Sequence, residues 1–199
     1  MKLLILIMFI LCPKVLATVD DVSTPEVFQR EYIYTSFQEH KNIQTVGVFT
    51  CVAMVILDKN GYGALAHFDA STDLERGVDE VLSAFNGARE VSVSLYGGQS
   101  PYRLEKRIVE KLEGHGVVPD LIERNSDPEG AMNINVNLRS GVISKYVESI
   151  SNMGYRERAF KADRMKFSKR LYRHQGSIGG GDFLPDFSEE EENLFNFSF

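Results

Sequence analysis

Cys51, His67 and Thr45 are the residues of this chain whose types and spacing suit covalent chemistry. Thr45 lies six residues before the cysteine and His67 sixteen after it, within Thr45-Val-Gly-Val-Phe-Thr-Cys51-Val-Ala and Gly63-Ala-Leu-Ala-His67-Phe-Asp69. A cysteine becomes a nucleophile when a neighbour lowers its pKa or takes its proton, and a histidine does both. The thiolate can then attack a carboxamide carbon. The oxyanion that forms needs hydrogen-bond donors, usually backbone N–H groups. Ammonia leaves, and water hydrolyses the remaining thioester. His67 would take the thiol proton and later protonate the leaving nitrogen. Thr45 or Asp69 could orient the imidazole, because a third group normally fixes the base. The competing reading of Cys51 is a buried thiol that packs as a small hydrophobe.

The elements around these residues give a reason for them to meet. Thr45 to Leu57 is apolar and β-branched, which suits one or two buried strands. Asp58-Lys-Asn-Gly61 is a turn with a strong hairpin signal, and Gly63 to Phe68 returns as the second arm. A hairpin closed there puts Cys51 and His67 on neighbouring strands, at the same end of the pair. Upstream, Glu31 to Ser36 reads as a strand. Thr72-Asp-Leu-Glu75 reads as a capping box that opens a helix with Leu74, Val78, Val81, Leu82 and Phe85 on one face, ended by Asn86-Gly87. Glu90 to Tyr96 alternates as a strand that Gly97-Gly98 breaks. Ser100-Pro101 is read as the cap of a second helix, with Leu104, Ile108 and Leu112 in register. Further strands are expected within Val117–Arg124, Met132–Leu138 and Val142–Val147.

The chain has 199 residues, 43% of them hydrophobic, enough for one domain with a proper core. A net charge of −6 argues against a nucleic-acid partner. The start, Met1-Lys2 followed by an apolar run to Leu11 and Val15-Leu16-Ala17, has the pattern of a secretory signal peptide over residues 1–17. An uncleaved anchor or a buried strand is the other reading. Cleavage after Ala17 would remove Lys2, Lys14 and Cys12, taking the net charge to −8 and leaving Cys51 alone. The expected location is then secreted or periplasmic, where a lone cysteine is an intermolecular bridge or a thiol kept for chemistry.

The domain is expected over residues 18–152, and the character changes in 153–199. Arg156 to Arg173 holds eight basic residues against Glu157 and Asp163, with Phe160, Phe167 and Leu171 on one helical face. This basic helix could pack on the domain or contact an anionic membrane or a partner. Gly176 to Gly181 is a linker, and Asp182 to Phe199 mixes Glu189 to Glu192 with five phenylalanines. The chain contains no HExxH, no G-x-S-x-G elbow and no P-loop, and His40, His115 and His174 are scattered. No metal and no cofactor are expected.

Taken together, the Thr45–Ala53 and Gly63–Phe68 segments resemble the chemoreceptor glutamine deamidases (CheD). These carry a Thr-Leu-Gly-Leu-Gly-Ser-Cys-Val-Ala-like and a Gly-Gly-Met-Ala-His-like segment. The stretch also resembles the eukaryotic protein N-terminal asparagine amidohydrolases. There the likeness extends to Gln29-Arg30-Glu31, to Asp69 with Thr72-Asp73, to Tyr96-Gly97-Gly98, and to Val136-Asn137-Leu138 before Gly141. It covers about residues 27–146. The resemblance implies a cysteine amidohydrolase that deamidates an Asn or Gln side chain of a protein or peptide. Cys51 would be the nucleophile, His67 the base and Thr45 the third member. It implies an α/β fold, a layered β-sandwich core flanked by helices, shared with deamidating toxins of the cytotoxic necrotizing factor type. Asp69 is a candidate orienting or substrate-contacting residue, and Glu31 a candidate contact for a substrate amine. Phe49-Thr50 replaces a small Gly-Ser pair before the cysteine, which bears on the oxyanion hole. The Cys-to-His interval is also one residue shorter than in those families, and both relatives work in the cytosol. Two alternatives stay open: a non-catalytic binding protein on the same fold, and transglutaminase-like transfer to an amine.

Overall fold

A computed structural model describes residues 24–85, 90–127, 129–149 and 168–173. The expected signal peptide at residues 1–17, the expected helix end at Asn86-Gly87, most of the basic segment and the acidic end lie outside the described residues. In chain order the elements are β1 (Glu26–Val27), β2 (Glu31–Ser36), β3 (Asn42–Val48), β4 (Val52–Asp58) and β5 (Tyr62–Phe68), then α1 (Leu74–Ser83) and β6 (Val91–Gly97). After these come α2 (Arg103–Gly114), β7 (Leu121–Arg124), β8 (Gly130–Asn137), β9 (Ile143–Ser149) and β10 (Ser168–Arg170). They form a six-stranded sheet, β10-β2-β5-β4-β6-β7, and a four-stranded sheet, β1-β3-β8-β9.

Strand β4 is apolar along most of its length because both of its faces are covered. Met54 and Ile56 join Val78 and Val81 of α1 and Leu104, Ile108 and Leu112 of α2 in one core. Ala53 and Val55 join Leu65 and Ile33 of the same sheet, and Ile43, Ile134 and Val136 of the other, in a second core. Burial on two sides removes the polar alternation of a half-exposed strand. The molecule is thus mixed α/β and layered, with helices on one face of the larger sheet and the smaller sheet on the other.

The β4–β5 hairpin closes at Asp58, whose carboxylate accepts from the N–H groups of Asn60 and Tyr62 at 2.8 Å each. Gly61 takes φ +83, the left-handed turn conformation that a side chain resists. Val52 therefore pairs with Phe68 and Ala53 with His67.

Three expectations are corrected. The cap of α1 is Asp73, which accepts from Arg76 N–H, and not Thr72, whose hydroxyl is turned to Asp69. Helix α2 opens after Tyr102, in the left-handed region at φ +62, and not at Ser100-Pro101. Residues 168–170 form a strand antiparallel to β2 instead of continuing a basic helix. An uncovered β2 would leave its outer backbone groups without ladder partners, and pairing satisfies them. Leu171 is then buried in the helix-side core, and Tyr172 O accepts from Asp73 N–H at 2.9 Å.

Candidate active site

The β-ladder sets a row of residues across the larger sheet: Glu31 beside His67, His67 beside Ala53, Ala53 beside Tyr96. Alternation turns all four toward the smaller sheet, with Leu65 and Val55. Cys51 lies two residues before Ala53 and is a thiol packed in that same inter-sheet core, 2% exposed. It lies just before β4, two residues from Ala53, the register partner of His67. His67 is 1% exposed.

Backbone contacts hold the cysteine. Gly98 N–H donates to Cys51 O at 2.8 Å. A Cβ on Gly97 would stand 2.6 Å from that carbonyl oxygen and 2.5 Å from Val48 Cγ1. Gly97-Gly98, read above as a strand breaker, lets two backbones meet at the Cys51 carbonyl. Burial raises the Tyr96 phenol pKa, and a Ser94 hydrogen bond partly offsets the rise, so the ring stays neutral.

Thr45 comes from the opposite sheet. Its hydroxyl donates to Val27 O at 2.8 Å and lies 2.8 Å from His67 Nδ1. A hydroxyl has one proton, and a carbonyl can only accept, so Thr45 Oγ1 must accept from Nδ1–H. The neutral ring then carries its basic lone pair on Nε2. A bulge between Thr45 and Val48, with Gly47 at φ +76 and its N–H on Asn133 Oδ1 at 3.0 Å, shapes the strand that delivers the hydroxyl. Asn133 is fully buried.

Glu31 and Asp69, the two carboxylates expected near the site, are both buried. Glu31 is the register neighbour of His67, and its Oε2 accepts from Phe28 N–H at 3.3 Å. Asp69 Oδ1 accepts from Ser71 N–H at 2.9 Å, Ser71 Oγ at 2.6 Å and Thr72 Oγ1 at 3.0 Å. Its Oδ2 lies 3.7 Å from Arg30 Nε. Asp69 thus serves its own loop and Arg30, while the Nδ1 side of the imidazole faces Thr45. Gln29, to which sequence reading gave no role, places Nε2 3.5 Å from Cys51 Sγ. The Gln29-Arg30-Glu31 string marked the place, but only the turn geometry brings its first side chain to sulfur.

Elsewhere, a groove of about 310 Å³ is lined by Glu75, Arg107, Glu110, Lys111 and His115 between the two helices. It holds charges without a nucleophile. Among the described residues, no group of three or more His, Cys, Asp or Glu side chains is placed to hold a metal ion. No described helix is long and apolar enough to cross a membrane. No family model and no curated protein matches the chain.

Proposed function

We propose that this protein is an exported cysteine amidohydrolase that deamidates an Asn or Gln side chain of a protein or peptide, most like the protein N-terminal asparagine amidohydrolases. The observation that carries the reading is the Thr45 relay. A hydroxyl committed to Val27 O accepts from His67 Nδ1, which leaves Nε2 as the basic nitrogen on the sheet face that holds Cys51. The layered arrangement of two sheets and two helices supports the likeness to the CheD and necrotizing-factor sandwich.

In the proposed reaction His67 Nε2 removes the thiol proton and Sγ bonds to the carboxamide carbon. The carbonyl electron pair moves onto oxygen. As it returns, the C–N bond breaks, His67 protonates the nitrogen and ammonia leaves. Water, deprotonated by His67, hydrolyses the thioester to the acid. Burial of both reacting side chains strengthens these interactions by excluding bulk water. Glu31, beside His67, supplies negative charge suited to a substrate amine. The apolar leader at residues 1–17 supports export.

The test is incubation of the purified protein with peptides bearing internal or N-terminal Asn and Gln. Ammonia release is followed together with the mass change of amide to acid. Both are expected with wild type and lost in Cys51→Ala. Absence from wild type, or persistence in the variant, overturns the reading. An added primary amine appearing in the product would move the reaction to transfer.

A further inference from the structure

We infer that Gln29 is a catalytic residue whose side-chain amide donates to the oxyanion formed when Cys51 attacks a carbonyl. The inference rests on the reading of Cys51 as the nucleophile. Gln29 is an exposed residue, yet its Nε2 reaches to 3.5 Å from the buried Cys51 sulfur. An exposed glutamine is normally solvated by water, so an inward pose needs a scaffold.

That scaffold is the 28–31 turn. Glu31 N–H donates to Phe28 O at 3.0 Å, and Phe28 N–H donates to the Glu31 carboxylate at 3.3 Å. Arg30 sits in the left-handed region at φ +58. A non-glycine residue stays there when its surroundings over-determine it, and such residues cluster at functional sites. Here Arg30 N–H donates to His67 O and Arg30 O accepts from Leu171 N–H, both at 2.8 Å, while its guanidinium lies against Asp69. Backbone bonds tie the turn to the base strand on one side and to the segment after β10 on the other. Asp69 therefore acts as a positioning residue for Gln29.

The chemistry follows from bond connectivity. When Sγ bonds to the acyl carbon, the developing oxyanion is two bonds from sulfur. An N–H donor 3.5 Å from Sγ is then within reach of that oxygen. Oxyanion donors act at about 2.7–3.1 Å from the position the charged oxygen will occupy. The amide proton is shared and not transferred, and the electron pair returns from oxygen as the leaving group departs. Phe49-Thr50 stands where the resembling families have a small Gly-Ser pair, and a side-chain donor from another element meets the same need.

Two reactions of the full chain separate this role from others. Acylation of Cys51 by p-nitrophenyl acetate passes through an oxyanion; alkylation by iodoacetamide does not. Gln29→Ala and Gln29→Met, the second keeping side-chain length, are compared on the alkaline plateau of each pH profile, with circular dichroism to verify folding. The expected result is acylation slowed by about 100-fold, with alkylation close to wild type. Parallel loss of both plateau rates would mean that Gln29 keeps the thiolate accessible instead of binding an oxyanion, and would overturn the proposal. No loss of either would make it structural, with the same consequence. Cys51-dependent conversion of Gln29 to glutamate, seen by peptide mass, would make it a bound pseudosubstrate and also overturn it. A wild-type Cys51 inert to both reagents defeats the nucleophile reading itself. Ammonia assays that stay silent while the acylation contrast appears defeat only the deamidase reading.

Discussion

His67 and His115 show what position does to one side-chain type. His67 is 1% exposed, between two sheets, and its Nδ1 meets an uncharged hydroxyl. His115 follows the last turn of α2, its side chain is 41% exposed, and its Nε2 lies 2.6 Å from Asp79 Oδ1. Lys111 Nζ is 3.1 Å from the same oxygen and 2.6 Å from Glu75 Oε2. The surface histidine joins a charge cluster that water and salt screen. The buried one is held by a hydrogen bond that selects a tautomer and adds no charge. Orientation without charge suits a base that must receive a proton and give it back. Pairing with Asp79 at the end of α2 suits a contact that tightens a surface.

The largest expected effect is on the buried side. His67→Gln should lower deamidation by about 10²–10⁴-fold, the range for a lost general acid–base. An equal loss in His115→Ala, measured with the same peptides, would erase the contrast. Next comes Thr45→Val, which strips the partner from His67 Nδ1 and Val27 O together. It should lower stability by about 1–3 kcal/mol in urea unfolding and slow turnover, and Thr45→Ser should recover most of both. Full turnover in Thr45→Val would show that the tautomer is fixed by something else.

The smallest effect belongs to the surface. His115→Ala should leave turnover unchanged and cost less than about 1 kcal/mol, as exposed pairs do. Partial burial alone would raise the Asp79 carboxyl, but hydrogen bonds and charge from His115 and Lys111 outweigh it and hold it below the ordinary value. A lowered folded pKa means that the pairing stabilises above the ordinary carboxylate pKa and fades as pH falls through the folded value. The difference in Tm between wild type and Asp79→Asn should therefore shrink below about pH 4. A difference that grows on acidification would reverse the assignment.

How far these features were legible depended on whether they were local. The Asn60-Gly61 turn and the apolar run before it were local signals, and together they carried the register that sets Val52 against Phe68 and Ala53 against His67. Thr45 could be named as a candidate, but its bond to Nδ1 crosses between sheets, and no spacing rule specifies that. Asp69 and Thr72 were visible as polar residues before a helix. Their mutual hydrogen bond, and the shift of the cap to Asp73, arose from competition among four neighbouring acceptors and donors. Gln29 was illegible because its direction depends on a left-handed Arg30 anchored by three distant groups. Helical spacing of Phe160, Phe167 and Leu171 pointed the wrong way for residues 168–170. An edge strand needing partners outweighed local periodicity there.

The central claim is that His67 activates Cys51, and the pH dependence of native-state alkylation measures it most directly. Iodoacetamide should modify Cys51 without denaturant, with an apparent pKa below the ordinary thiol value of about 8.5. His67→Gln should return the profile toward that value. Alkylation that requires unfolding, or a profile unchanged by His67→Gln, would contradict the claim and leave Cys51 as a core residue.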